Sequence, residues 1–315
     1  MHREIVEFYS RGSKIVGTLH RPAGGAGPLP AIVQGPGWLG LRDAKLYERY
    51  HDACLEAGFA VLVFDHRGFG DSEGDSTFLD PRAQVDDYRA AASYLETRPD
   101  IDPSRLGVFG SGATGGGNAV MAAAADARFK AVVSQVPIAD GRDWLHRMRR
   151  EHEWLEFLER VQEDRRKRAR GGTGTMVAPR DGIMVPTPER RTTTIKADVD
   201  DRVPREVQLA SVEAIFDYRP IDHVQRIAPR AVLFIAVEHD ATTPEDHARA
   251  LYDRAGGPKR LILQTGTTHY AAYAQYGQVI APLIADWFRR FVVSGDLQVT
   301  DAEAESSVTY LRGDP

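Results

Sequence analysis

The residues most able to do chemistry lie in three short stretches, in the order turn, acid, base. The first, RLGVFGSGATGGGNAV (105–120), is an apolar run, a Gly and Ser turn and a helix start of small residues. Such a strand-to-helix corner presents a nucleophile at its centre, yet this chain has Gly112 there. Asp240 follows in EHDATTP (238–244) and His269 in GTTHY (266–270). The order predicts a His269 base oriented by Asp240, beside a corner without a nucleophile.

Ser111 is the hydroxyl that directly precedes Gly112. It would be the nucleophile only if the turn slipped by one residue, which would also move Gly110 and the helix start out of register. We therefore interpret Ser111 as a turn or hydrogen-bonding residue and keep the shifted nucleophile as an alternative. Gly112 suits a sharp turn because glycine adopts strained backbone conformations without a steric penalty.

The composition favours a globular protein that acts on a small molecule. Of 315 residues, 42% are apolar, and 40 Lys and Arg against 45 Asp and Glu give a net charge of −5. No basic excess argues for nucleic acid, and no apolar stretch of about 18 residues argues for a membrane span. Cys54 is the single cysteine, and the start of the chain lacks a signal-peptide pattern. We expect a cytoplasmic protein; whether it forms a homodimer is open.

Continuous apolar runs indicate the elements that would position these groups. An antiparallel hairpin and the strand AIVQ are followed by AVLVF (60–64), LGVF (106–109), AVVSQV (131–136), AVLFIAV (231–237) and LILQ (261–264). Strands that are apolar on both faces, separated by helix-length segments, predict an α/β fold with a mainly parallel twisted sheet and helices on both faces. Asp240 and His269 each follow a run, which places both at the carboxyl edge of the sheet, where ligands bind.

The alternation fails between residues 140 and 220, where we predict a helical cap inserted into the core. Asp143 would cap a helix that carries Trp144, Met148 and Leu155. The Pro-rich stretch after it is too long for an ordinary connection, so it is a functional lid or partly disordered. The charged helix is interpreted as a solvated face, with a substrate cap as the sharper alternative. The predicted domains are a core of 1–139 and 221–315 and a cap of 140–220.

Two further motifs precede the Gly112 turn. QGPGWLGLRD (34–43) has Pro36 where a His-Gly-Phe-Gly loop has its histidine, and FDHRGFGDSEG (64–74) matches Asp-x-Arg-Gly-x-Gly-x-Ser. With the turn and the two later loops, they resemble the α/β-hydrolase superfamily, in its dienelactone-hydrolase-like and dipeptidyl-peptidase-like esterase branch. The resemblance runs from about residue 4 to 293 outside the insertion and places Gly112 on the family's serine. It implies the α/β-hydrolase fold.

The resemblance also implies roles around Gly112. The backbone N–H groups of Trp38 and Ala113 would form an oxyanion hole at the start of the helix. Tyr270 and Trp144 are candidates for contact with an apolar or aromatic substrate. Loss of the nucleophile costs a serine hydrolase about 10⁶ in turnover, so the sequence does not predict ordinary acyl-enzyme chemistry.

The remaining groups suit several functions. The first prediction is a cofactor-free hydrolase of an ester, amide or activated C–C bond, in which His269 activates water. A lyase, hydratase or isomerase with the same base comes second. A serine hydrolase acting through Ser111 and a non-catalytic ligand-binding protein come third and fourth. No metal site is predicted, because His146 and His152 are six residues apart and lack the i, i+4 spacing of a zinc helix.

Overall fold

The computed structural model of the chain describes residues 1–24, 27–294 and 307–312. The strands are β1 His2–Ser10, β2 Ser13–Arg21, β3 Leu29–Gly35, β4 Ala60–Phe64, β5 Ile101–Ala113, β6 Phe129–Pro137, β7 Met176–Val177, β8 Val207–Gln208, β9 Ala231–Val237, β10 Lys259–Thr265 and β11 Ser307–Arg312. The helices are α1 Glu48–Glu56, α2 Pro81–Glu96, α3 Thr114–Ala125, α4 Gly141–Arg147, α5 Glu151–Ala169, α6 Pro188–Thr192, α7 Ala197–Asp200, α8 Ser211–Phe216, α9 Glu245–Arg254, α10 Ala271–Gln275 and α11 Gly277–Phe288.

Nine strands form one sheet in the order β1-β2-β4-β3-β5-β6-β9-β10-β11. The β1–β2 hairpin and the β2–β4 pair are antiparallel, and every later pair is parallel. This arrangement confirms the mainly parallel sheet that the apolar runs predict. Strand β11, at the far edge, is not among the predicted strands.

Alternate residues of the buried strands face two separate apolar clusters, one on each side of the sheet. Phe109 and Ile235 pack with side chains of α1 and α11, whereas Val108 and Phe234 pack with side chains of α2, α3 and α9. Burying a side chain of this size stabilises the fold by about 1.5–3 kcal/mol. The helices on both faces therefore hold the sheet rigid beneath the loops at its carboxyl edge.

The region between 140 and 220 adds no strand to the main sheet; it holds α4 to α8 and the small β7–β8 pair. The prediction that Asp143 caps its helix is wrong. Asp140, in an extended conformation, accepts the N–H groups of Arg142 at 2.9 Å and Asp143 at 3.0 Å. The helix is also broken, because α4 ends at Arg147 and α5 begins at Glu151.

Candidate active site

A cavity that is partly open to solvent lies at the carboxyl edge of the sheet. Gly112 and Ala113, at the end of β5, are on its wall, and the loops that follow β3, β9 and β10 add Trp38, Thr242 and His269. Parallel strands end on the same edge, which is why residues far apart in the sequence meet there.

The corner between β5 and α3 is built from two residues with positive φ. Gly112 has φ +85°, and Ala113 has φ +49° with ψ −103°. The tight turn also requires glycine at position 110, because a Cβ there would lie 1.9 Å from the carbonyl oxygen of Gly115. Neither Gly112 nor Ala113 has a nucleophilic side-chain atom. The turn therefore lacks a nucleophile, whichever of these two residues is at its centre.

The space at Gly112 opens toward two phenol groups. A Cβ placed at Gly112 would be 3.5 Å from Cα of Gly37 and 3.9 Å from the hydroxyl oxygens of Tyr47 and Tyr273. Burial raises the pKa of Tyr47 to about 12 and raises the pKa of Tyr273 well above its ordinary value. Both phenols are therefore neutral hydrogen-bond donors at physiological pH.

His269 and Asp240 form a buried hydrogen-bonded pair. Nδ1 of His269 lies 2.7 Å from Oδ2 of Asp240, and Oδ1 of Asp240 accepts the N–H groups of Thr242 at 2.7 Å and Thr243 at 3.0 Å. Both carboxylate oxygens of Asp240 are therefore held by hydrogen bonds, and Oδ2 orients the imidazole of His269. Nε2 of His269 has no hydrogen-bond partner in the described parts of the chain, and the ring lines the cavity. This arrangement leaves Nε2 available as a base.

Ser111 is fully buried behind the corner. Its hydroxyl is 2.8 Å from the hydroxyl of Tyr273 and makes no hydrogen bond to His269. The structure thus places Ser111 against a tyrosine on the cavity wall, in a hydrogen-bonding role.

The two tryptophans have different positions. Trp38 lines the cavity, but its backbone N–H donates to the carbonyl of Gly112 at 3.2 Å, so it reaches an oxyanion only if that bond opens. Trp144 is fully buried; it packs edge-to-face on Trp38 at 5.5 Å and donates its Nε1–H to the carbonyl of Thr242 at 2.9 Å. Trp144 supports the cavity wall from behind. Tyr270 is on the wall itself, edge-on to the His269 ring at 4.6 Å.

The motif FDHRGFGDSEG fixes the loop that carries Trp38. Asp65, fully buried, accepts the backbone N–H of Arg42 at 2.8 Å and pairs with its guanidinium. The same guanidinium reaches Asp71 at 2.6 Å. The motif therefore acts at a distance from the cavity, by positioning the loop of residues 36–43.

Sequence reasoning missed three cations on the far wall of the cavity. Arg180, Arg190 and Lys196 lie in residues 180–202, here named the roof segment, and all three line the cavity. Nζ of Lys196 donates to the carbonyls of Trp38 at 3.1 Å and Leu39 at 2.9 Å. Burial, with the two arginines next in effect, lowers the pKa of Lys196 to about 7. The length and proline content of this stretch predicted a lid but not its charge.

The roof segment is attached to both loops of the site. Glu189 accepts the N–H groups of Tyr270 and Ala271, each at 3.1 Å, and the hydroxyl of Thr268. On the other side, Asp198 accepts the N–H of Lys45 at 2.9 Å. The roof is thus tied to the loop that carries His269 and to the loop that follows Trp38.

Within residues 1–24, 27–294 and 307–312, no group of three or more His, Cys, Asp or Glu side chains is arranged to hold a metal ion. Within the same ranges, no helix has the length and apolarity needed to cross a membrane.

The chain is similar to known proteins over most of its length. The profile of the X-Pro dipeptidyl-peptidase (S15) family matches residues 11–271. An Escherichia coli protein, described as an uncharacterized 31.7 kDa protein in the traX-finO intergenic region, is 29% identical over 266 residues, which are 83% of this chain and 91% of that protein. The quorum-quenching protein AidA of Acinetobacter baumannii is 39% identical over 137 residues, 43% of this chain and 44% of AidA. The crystal structure of the alpha/beta hydrolase GrgF from Penicillium sp. sh18 aligns with a TM-score of 0.77 at 21% identity, covering 93% of this chain and 99% of GrgF. These matches confirm the fold that the motifs imply.

Proposed function

We propose that this chain, which belongs to the X-Pro dipeptidyl-peptidase (S15) family, is a hydrolase whose His269 activates water for direct attack on a carbonyl. The observation that carries the proposal is the pairing of an oriented base with a corner that has no side chain. His269 is held by Asp240 at 2.7 Å, and Gly112 leaves the neighbouring wall open.

The chemistry follows from which imidazole nitrogen is engaged. Asp240 accepts the proton on Nδ1, so Nε2 has the lone pair that removes a proton from water. The hydroxide oxygen bonds to the carbonyl carbon, and the carbonyl electrons move to its oxygen. When the carbonyl re-forms, the bond to the leaving group breaks and His269 returns its proton to that group. The net reaction adds one water across the bond.

Donors near the corner would stabilise the oxyanion. The N–H of Ala113 is at the start of α3, where the helix dipole favours negative charge. The neutral hydroxyls of Tyr47 and Tyr273 face the same space. A single oxyanion donor contributes about 10²–10³ in turnover, and general base catalysis contributes about 10²–10⁴. No observation favours a lyase or an isomerase over hydrolysis.

Fluorophosphonate labelling tests the proposal, with p-nitrophenyl acetate as the substrate. We expect the wild type to hydrolyse the ester without a burst and to carry no adduct by peptide mass spectrometry. Gly112→Ser is the positive control, because the corner has room for its Cβ; it should be labelled at position 112. Its positive φ costs about 1–2 kcal/mol of stability, which a melting curve would register.

An adduct on Ser111 of the wild type, abolished by Ser111→Ala, would overturn direct attack by water and make the protein a serine hydrolase. A burst of p-nitrophenol equal to the enzyme concentration would contradict it in the same way, because it reports an acyl-enzyme.

A further inference from the structure

The three roof cations that line the cavity, Arg180, Arg190 and Lys196, outnumber the carboxylates paired with them. Both arginines share one partner: Nη2 of Arg190 is 2.6 Å from each oxygen of Asp200, and Nη2 of Arg180 is 3.1 Å from Oδ1. Lys196 donates to carbonyls and to no carboxylate. No Asp or Glu of the described ranges is on the cavity wall. The two arginines with Asp200 leave one unbalanced positive charge before Lys196 is counted.

Two residues that line the cavity have hydrogen-bond donors without acceptors. Nε–H of Arg180, on the roof, and Nε1–H of Trp38, on the sheet side, are buried and donate to no atom of the described residues. A buried donor without an acceptor costs about 1–3 kcal/mol, so an acceptor atom that reached Nε–H of Arg180 would recover that cost. Burial and the nearby Arg190 also lower the pKa of Arg180, as expected for a cation that lacks sufficient negative charge around it.

Resting on the proposed function, we infer that the substrate carries a carboxylate that binds Arg180 and Arg190 of the roof while its scissile carbonyl faces His269. A planar carboxylate matches the geometry of a guanidinium and accepts two hydrogen bonds from it. A monoanion also balances the single excess charge of the arginine pair and Asp200. The uncharged part of the wall, with Tyr270 and Met184, suits an apolar or aromatic body. The substrate class is an apolar or aromatic acid with a hydrolysable acyl group.

Binding of phenylacetate tests the inference without requiring turnover. Isothermal titration should give a Kd for phenylacetate that is at least about tenfold lower than the Kd for phenylacetamide, its uncharged analogue. A hydrogen bond to a charged group changes the Kd by about tenfold or more. Arg190→Gln and Arg180→Gln should each weaken phenylacetate binding by at least about tenfold and leave phenylacetamide unchanged.

Two controls separate recognition from damage to the fold. Arg191→Gln changes the next residue along α6, which is 56% exposed and pairs with Asp181; its Kd for phenylacetate should stay within about twofold of the wild type. Asp200→Asn removes the carboxylate that competes for both arginines, so it should tighten phenylacetate binding by about threefold or more. A merely unfolded roof would weaken binding in every variant.

Several outcomes would overturn the inference. They are equal binding of phenylacetate and phenylacetamide, no binding of phenylacetate to the wild type, or an Arg190→Gln variant that binds as the wild type does. Phenyl phosphate distinguishes the two sources of anionic oxygen: binding about tenfold tighter than phenylacetate would assign the site to a phosphate ester instead.

His269→Ala keeps this test separate from that of the proposed function. The variant should bind phenylacetate as the wild type does, since the arginines hold the anion. If ester hydrolysis is unaffected by His269→Ala while phenylacetate binding still depends on Arg190, the proposed function fails and the anion site stands. The reverse result leaves the hydrolase and removes the anion site.

Discussion

The two sides of the cavity are built on different principles. On the sheet side, the base and its carboxylate follow strand ends, and both oxygens of Asp240 have hydrogen-bond partners. On the roof side, Arg180 and Arg190 share the carboxylate of Asp200, and the buried Nε–H of Arg180 has no acceptor among the described residues. With the proposed anion site, this difference is a division of labour: the base and its carboxylate are in place before substrate arrives, and the substrate's carboxylate completes the pairing of the roof arginines.

The largest effect should come from removing the base of the sheet side. His269→Ala should lower kcat for p-nitrophenyl acetate by about 10²–10⁴, the contribution of general base catalysis. His152→Ala, an exposed histidine on α5, is the matched control and should be indistinguishable from the wild type. A His269→Ala variant with wild-type kcat would break the division of labour.

Next in size is a pH effect on the roof. The folded state lowers the pKa of Lys196 to about 7 from 10.5, so between these values the unfolded chain binds more protons and the stability of the protein rises with pH. The free energy of unfolding of the wild type minus that of Lys196→Met should rise by about 2–3 kcal/mol between pH 7 and pH 9. Urea unfolding at both pH values measures it.

If the difference in unfolding free energy between the wild type and Lys196→Met stays constant from pH 7 to pH 9, Lys196 is solvated and the roof is more open in solution. The comparison with Lys196→Met cancels other groups that titrate there. The charged groups around the ammonium are Arg180, Arg190, Asp198 and Asp200.

A smaller effect is expected where roof and sheet side are joined. Glu189→Ala removes the acceptor for the N–H groups of Tyr270 and Ala271. KM should rise by about three- to tenfold with kcat within about twofold, because substrate must then order the roof. Glu206→Ala, an exposed residue that follows the roof segment, is the control. A fall in kcat with unchanged KM would show that Glu189 positions the base instead.

The smallest effect should be that of Ser111→Ala. The buried hydrogen bond to Tyr273 contributes about 0.5–1.5 kcal/mol to stability, while turnover should stay within about twofold. Thermal unfolding and ester hydrolysis measure the two quantities. A loss of turnover of about a hundredfold or more in Ser111→Ala would identify Ser111 as a catalytic group. It would contradict the proposal that His269 acts without a nucleophilic side chain at the corner.

The sheet side was largely accessible to sequence reasoning. Apolar runs specify buried parallel strands, and residues directly after such strands, such as Asp240 and His269, come to one edge. The two side chains do meet in the structure. The hydrogen bond from the Trp38 N–H to the carbonyl of Gly112 could not be predicted from the sequence, because it depends on how closely two loops approach each other.

The roof could not be predicted because no periodic pattern governs it. The roof segment, residues 180–202, consists of turns and two short helices. Neither a 3.6-residue nor a two-residue repeat therefore marks which of its side chains point inward. Lys196 can be buried because the carbonyl oxygens of Trp38 and Leu39, which are distant in the sequence, accept hydrogen bonds from its ammonium group. Long-range partners of this kind leave no local signal.

The room at Gly112 has a consequence in sequence space. Glycine and serine codons can differ by a single base, and a Cβ at this corner would meet ordinary contacts of 3.5–3.9 Å. One substitution therefore separates this chain from one with serine at position 112, and its cost is the strain that a φ of +85° imposes on a side chain. Under the proposed function, the change between attack by water and attack by a serine would need one base change and about 1–2 kcal/mol of stability.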